Sequence, residues 1–305
     1  MEIDNTKARS FDNPVAVPLS EEQALAWQQS NREWWEQHSM RYDWRDAIPF
    51  PEFSPQFYAE IDRRFFSVAR GFMPWKRIPF DPLIDFDTLP AKDVLEIGVG
   101  NGSHAALLSA HAKSFVGIDL TEYAVRSTGE RLRQSGSTGQ VERMDAEKLA
   151  FPGASFDFIW SWGVIHHSSD ISKIISEMHR VLRPGGTAVV MVYHRNAYNY
   201  YIVSGILNGL LRRGLWKHGS IHKVQQAHTD GAMARYYTPK EWRRLVGPFF
   251  NIIDLRVYGA KAEIMPLPGC RVKSAILSLV PDAFGRMLTN TCGLGSMLVA
   301  VMERR

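Results

Sequence analysis

Cysteine is nearly absent from this chain. Cys270 and Cys292 are the two among 305 residues, too few for a disulfide framework or a four-thiolate zinc centre. No apolar run approaches the length of a membrane-spanning helix. The opening MEIDNTKARSFDNP has neither the basic start nor the apolar core of a secretory leader. The expectation is a reduced, cytoplasmic protein with no transmembrane segment. Internal repeats and low-complexity tracts are also missing. With 22% charged and 45% hydrophobic residues, wholesale disorder is excluded.

What is present is enough apolar sequence for a large core. The net charge of +4 is mild but uneven. Between Arg195 and Arg244 nine Lys/Arg stand against two acids, so the rest of the chain is slightly acidic. A basic segment in a near-neutral protein points to an anionic partner, a membrane surface or a merely solvated face.

The polar residues 1–20 read as a loose arm. EEQALAWQQSNREWWEQH (Glu21 to His38) reads as a helix, with Leu25 and the Trp34/Trp35 pair at helical spacing and a capping box from Ser20 and Gln23. A second helix is expected over Gln56 to Ala69. The aromatic cluster Trp27, Trp34, Trp35, Tyr42 and Trp44 serves packing, a lid over a cofactor or a dimer contact. Beyond it, DVLEIGVGNG, SFVGIDL, QVERMDAEKL, FDFIWSWGV and TAVVMVY are short apolar strands alternating with helical segments. That is the signature of a parallel sheet built from βα units. PFFNIIDLRVYG and GSMLVAVMERR add two strands as a hairpin pair. The fold class is therefore α/β: a Rossmann-like seven-stranded sheet. The expected organisation is a helical leader over residues 1–85 and a main domain over 86–305. That domain carries insertions at about 194–237 and 260–295, both placed to cap a substrate.

The main chemical signal is Glu96-Ile97-Gly98-Val99-Gly100-Asn101-Gly102. Its glycines let the backbone turn tightly and approach a ligand. Asp119 ends the second strand, where a carboxylate reaches ribose hydroxyls, and Asp145 ends the third, on the adenine side. A dinucleotide site shares these features, but its G-x-G-x-x-G loop needs glycine where Ser103 stands. Glu96, two residues ahead of the first glycine, suits a cationic ligand better than a pyrophosphate. S-adenosylmethionine offers an ammonium and a sulfonium.

VLEIGVGNGSH, VGIDL, MDAEKLAFPGASFDFIWSWGVIHH and RVLRPGG together resemble class I S-adenosylmethionine-dependent methyltransferases, nearest to the small-molecule branch that includes ubiquinone/menaquinone-biosynthesis-type enzymes. The resemblance spans roughly Asp93 to Val192. By matched position it implies that Glu96, Gly98, Gly100, Asn101 and Gly102 surround the methionine portion of S-adenosyl-L-methionine. Asp119 then binds the ribose, Leu120 borders the adenine, and Asp145 and Ala146 meet its edge. Ser161, Trp162 and Gly163 form the floor near the sulfonium.

Methyl transfer is an in-line displacement with a neutral leaving group, so alignment and water exclusion supply much of the acceleration. A base is needed only where the acceptor must lose a proton. His166 and His167 follow the fourth strand and His194 the fifth, at the sheet edge where such folds bind ligands. His228 and Asp230 lie in the first insertion, where they orient an acceptor or simply form a turn. No short ligand spacing supports a metal site. Tyr198 to Lys217 reads as an amphipathic helix with Asn199, Ser204, Asn208 and Arg212 on its polar side. It packs on the core, closes over a greasy substrate, or makes shallow membrane contact helped by Arg212, Arg213 and Lys217. The expected acceptor is a small or lipid-like molecule, with anionic character as one option. A nucleic-acid acceptor is disfavoured, since Ser161-Trp162-Gly163-Val164 stands where amino-directed DNA enzymes carry Asn/Asp-Pro-Pro-aromatic. The alternatives kept are a nucleic-acid or protein methyltransferase and a non-catalytic S-adenosylmethionine-binding protein.

Overall fold

The computed structural model describes residues 11, 13–43, 46–265 and 270–305; Trp44 and residues 1–10 lie outside them. The strands are β1 (Asp93–Ile97), β2 (Ser114–Asp119), β3 (Gln140–Arg143), β4 (Phe156–Trp162), β5 (Leu182–His194), β6 (Tyr236–Tyr237), β7 (Phe250–Tyr258) and β8 (Met297–Arg304). The sheet runs β3-β2-β1-β4-β5-β8-β7. β1 to β5 pair in parallel, and β8 is antiparallel to both β5 and β7. The seven expected strands are all present. The short β6, inside the first insertion, adds an eighth beside the end of β5, with Tyr193 opposite Tyr236.

Central strands such as DVLEI are apolar because both sheet faces are covered. On one face α5 (Ile171–Val181) and α8 (Pro239–Val246) bury Ile174, Met178 and Trp242. On the other, α2 (Pro55–Phe72), α3 (Ser103–Ser109) and α4 (Glu122–Gln134) enclose Phe65, Phe80, Leu108 and Trp160. The order reverses direction between β1 and β4. Such a switch point opens a crevice at the carboxyl ends of the strands, and the glycine turn after β1 lies there.

α1 (Glu21–Gln37) starts with Ser20 accepting from the Gln23 amide. The buried face is Ala24, Trp27 and Asn31, whereas Leu25 is 72% exposed. The apolar spacing read from Leu25 therefore marks the wrong side of this helix. Glu36 near its end accepts from the Glu122 and Tyr123 amides at 2.8 and 2.9 Å. An anion is stabilised there by the free N–H groups opening α4.

The arm before α1 is not loose over its described part. Phe11 and Ala16 are buried with Trp27 and Met233. The reason is Arg235, fully buried in the first insertion. Its Nε donates to the Ala16 carbonyl at 2.7 Å, and its two terminal nitrogens donate to the Ser168 and Ser169 carbonyls. The Phe11 ring lies 5.2 Å beneath the guanidinium, in cation–π contact.

The first insertion holds a wide helix wound with i→i+5 bonds (Ala197–Leu211), α6 (Gly214–His218) and α7 (Ile221–Ala227); the second holds α9 (Arg271–Leu279) and α10 (Asp282–Arg286). The wide helix is reversed from expectation. Ser204 is buried, while Tyr201, Ile202, Ile206, Leu210 and Leu211 face outward.

Arg235→Met keeps the volume but leaves three buried carbonyls without a donor. The expected loss is about 3–5 kcal/mol, the usual cost of breaking a buried charged network. It is read as a lowered urea midpoint; a loss under about 1 kcal/mol would mean that the arm and insertion hold without this residue.

Candidate functional site

A cavity of about 440 Å³ lies at the switch point. Its floor is the glycine turn. Gly98 has φ +83°, and a Cβ there would stand 2.3 Å from the Val164 side chain, so only glycine lets β1 pass under the loop after β4. Asp119 Oδ2 accepts from the Gly100 amide at 3.2 Å, and Oδ1 accepts from the Thr121 amide and hydroxyl at 3.0 and 2.8 Å. Burial raises the Asp119 pKa against the lowering by these bonds.

Behind the turn, Glu96 is buried and its Oε2 has no hydrogen-bond partner among the described residues. Burial pushes its pKa well up, and the neighbouring Asp119 charge adds to the rise. His104 Nδ1 stands 3.9 Å from Glu96 Oε1, beyond hydrogen-bond range. Its ring is boxed by Phe65, Phe80 and Trp160 at 4.9–5.1 Å. Burial drives the His104 pKa down to about 3, so it is neutral at neutral pH. Asp119 thus lines the cavity and Glu96, with its orphaned oxygen, stands just behind the wall, while among the described residues no Lys or Arg lines the cavity. That arrangement suits an ammonium and a ribose, so the residues fit S-adenosylmethionine.

Of the residues assigned to the cofactor, Gly98, Gly100, Asn101, Asp119, Leu120, Asp145, Ala146, Trp162 and Gly163 line the cavity. Glu96 and Gly102 stand behind the wall, and Ser161 points away, its hydroxyl donating to the Ile97 carbonyl at 3.1 Å. Trp162 lines the cavity where Ser161 does not, as the alternation of a strand requires.

Among the five acid–base candidates, His167 alone lines the cavity. Its Nδ1 donates to the Met233 carbonyl at 2.6 Å, which leaves Nε2 as the unprotonated nitrogen. Burial lowers its pKa to about 4. His166 is buried behind it, against the Tyr193 ring at 4.0 Å. His194 does not line the cavity; its Nδ1 donates to the Gly295 carbonyl at 2.8 Å. His228 and Asp230 are exposed outside it. The residue on β5 that does line it is Tyr193, one position before His194. Counting in twos from cavity-lining Met191 finds it.

The leader supplies a roof. Gln28, Asn31 and Trp35 of α1 line the cavity, as do Phe65 and Val68 of α2. Gln28 donates to Asp145 Oδ1 at 2.9 Å and accepts from the Ser169 amide at 3.1 Å. Trp35 meets the His167 ring edge-on at 5.0 Å. The sequence offered these aromatics but not their aim. Glu263 of the second insertion also lines the cavity and was missed. It accepts from the Ala260 and Ser296 amides at 2.7 and 2.8 Å. The Ala260 contact is local, whereas only the folded chain brings in Ser296, 33 residues on.

A family model described as a methyltransferase domain matches residues 95–190. The chain is 29% identical over 214 residues to the ubiquinone biosynthesis O-methyltransferase of Thiobacillus denitrificans, covering 68% of this chain and 90% of that protein. It is 36% identical over 96 residues to the 27-O-demethylrifamycin SV methyltransferase of Amycolatopsis mediterranei, covering 30% of this chain. There it spans only 35% of the relative's length. The crystal structure of geranyl diphosphate C-methyltransferase from Streptomyces coelicolor shares the fold, with a TM-score of 0.55 at 16% identity over 95% of this chain and 100% of that one.

Asp119→Ala removes the carboxylate at the centre of the floor. S-adenosylhomocysteine affinity is expected to fall about 10- to 100-fold by calorimetry, the loss of one or two charge-assisted hydrogen bonds. Unchanged affinity would remove Asp119 from the site.

Proposed function

We propose that this chain, a class I methyltransferase by its sheet and by the domain at residues 95–190, methylates a small, largely apolar acceptor with S-adenosyl-L-methionine as donor. When bound, the donor supplies an electrophilic methyl group on a sulfonium. The observation that carries the reading is one continuous cavity. Asp119 and Asp145 stand in it together with Phe65, Val68, Phe72, Met191 and Met297. The acids suit the donor, and the apolar residues suit an acceptor whose body is hydrocarbon or aromatic. That these relatives are named for ubiquinone biosynthesis and for 27-O-demethylrifamycin SV is consistent with such a body.

The residues divide the work. The glycine turn and Asp119 hold the donor, and α1 and α2 exclude water, which strengthens every electrostatic contact within. His167 presents its unprotonated Nε2 to the cavity and takes the acceptor's proton. A base with a pKa of about 4 cannot strip an aliphatic alcohol efficiently, so the reading favours an acidic acceptor of phenol or enol type. Tyr193 stands beside it, its hydroxyl kept protonated by burial.

Two outcomes follow. With methyl-labelled S-adenosylmethionine and a fractionated cell extract, label is expected in organic-soluble material; label confined to nucleic acid or protein would overturn the reading. With an acceptor in hand, His167→Ala should lower kcat about 10²- to 10⁴-fold and leave S-adenosylhomocysteine affinity unchanged. Because burial lowers the His167 pKa, its base form persists as pH falls below the ordinary histidine range. kcat/KM should therefore stay level from pH 7 to about 5 and drop as pH nears about 4. A fall centred near 6.5 would assign the proton to another group.

A further inference from the structure

The wide helix and α6 expose a continuous apolar strip. In i→i+5 winding, positions four and five apart share a side. That side carries Tyr201 and Ile202, then Ile206, then Leu210 and Leu211; Trp216 of α6 follows. Leu211 and Trp216 are 72% and 74% exposed. The inward side is Tyr200, Ser204, Gly205 and Gly209, with the Ser204 hydroxyl bonded to Gln225. The helix is therefore fixed with its polar residue inward and its greasy side in water. Scattered apolar residues on a surface mean little, but a strip of six on two consecutive helices is a contact surface.

Its rim decides the occupant. Arg212, Arg213 and Lys217 are exposed beside Leu211 and Trp216. From Asn196 to Thr229 the sequence contains no Asp or Glu. A second copy of the chain would meet this patch with itself across a two-fold axis, setting the basic residues against their own kind. An anionic lipid surface satisfies both parts at once. The apolar strip enters the boundary between head groups and acyl chains, Trp216 sits at the level such rings prefer, and the three cations meet lipid phosphates.

The position of the strip relates it to the cavity. Both insertions leave the sheet at the same end, where Asn196 donates to the Leu294 and Gly295 carbonyls and Asn199 reaches Glu263 Oε2 at 3.5 Å. Glu263 and Ala260 line the cavity, as does Val68, which is itself exposed. On its own helix α9 the second insertion also exposes Val272, Ile276 and Leu279. We infer that the first insertion docks the protein on an anionic bilayer surface through the Tyr201–Trp216 strip and its basic rim. The inference goes beyond methyl transfer and is read without turnover.

The test is sedimentation of the full chain with phosphatidylcholine vesicles, with and without phosphatidylglycerol. Binding is expected only with the anionic lipid and should weaken as salt rises. Leu211→Asp with Trp216→Asp, or Arg212→Glu with Arg213→Glu, should reduce the bound fraction at least about tenfold. Both pairs are exposed, so thermal unfolding and S-adenosylhomocysteine affinity should match the parent. Leu25→Asp, an exposed apolar site on the leader, should bind as the parent does. Absence of vesicle binding, equal binding to neutral vesicles, retention by both double variants, or concentration-dependent self-association through the strip in place of vesicle binding would each overturn the inference.

Discussion

A single buried cation sets the shape of the working end of this molecule. The Arg235 guanidinium is fully enclosed, and the acceptors on its side chain are the carbonyls of Ala16, Ser168 and Ser169. A charge kept from water needs its hydrogen bonds made from every side. The arm before α1, the loop after β4 and the first insertion must therefore close on it together. The Arg235 amide also donates to the His166 carbonyl at 2.9 Å, two residues from Met233, which fixes the His167 ring. The geometry around the candidate base is thus inherited from a residue that never enters the cavity.

The electrostatics of the cavity floor follow a similar logic with the opposite sign. Burial raises the cost of charge on both Glu96 and Asp119, and the Asp119 charge raises it further for Glu96. The nearby Arg131 is already engaged, with Asp62 and with the Asn101 carbonyl. His104, boxed by aromatic rings and held neutral, adds no positive charge. The ionised form of these acids is therefore one that a positively charged ligand favours and a pyrophosphate opposes. This is the physical content of the substitution of Ser103 and Glu96 into what otherwise reads as a dinucleotide turn.

The sheet and the glycine turn at its switch point were legible in the sequence because local pattern decides them: short apolar runs, a glycine turn, and an acid at a strand end. Alternation along a strand was equally available, and applying it to β5 selects Tyr193 over His194. The leader and the insertions were harder, since their partners are distant in the chain. Leu25 continues the apolar spacing of α1, yet Asn31 is buried in its place because α1 packs across a polar rim near Asp145 and Ser169. The wide helix defeats a reading based on 3.6 residues per turn, since its winding regroups the side chains and turns Ser204 inward. Glu263 has one local partner, the Ala260 amide three residues before it, and one distant partner, the Ser296 amide. Its carboxylate is defined by amides at Ala260 and Ser296, on opposite sides of the second insertion.

The roof has a mechanical consequence. Gln28, Asn31 and Trp35 stand three and four residues apart on one side of one helix. Gln28 covers one end of the cavity through Asp145, and Trp35 covers another part through the His167 ring. A helix moves as a rod, so these two covers have a single hinge line. Displacing the rod from the Asp145 end would also take the wall away beside His167, because Gln28, Asn31 and Trp35 belong to one helix. Both parts of the cavity are thereby covered by one element, whose end the Glu36 carboxylate ties to the α4 amides.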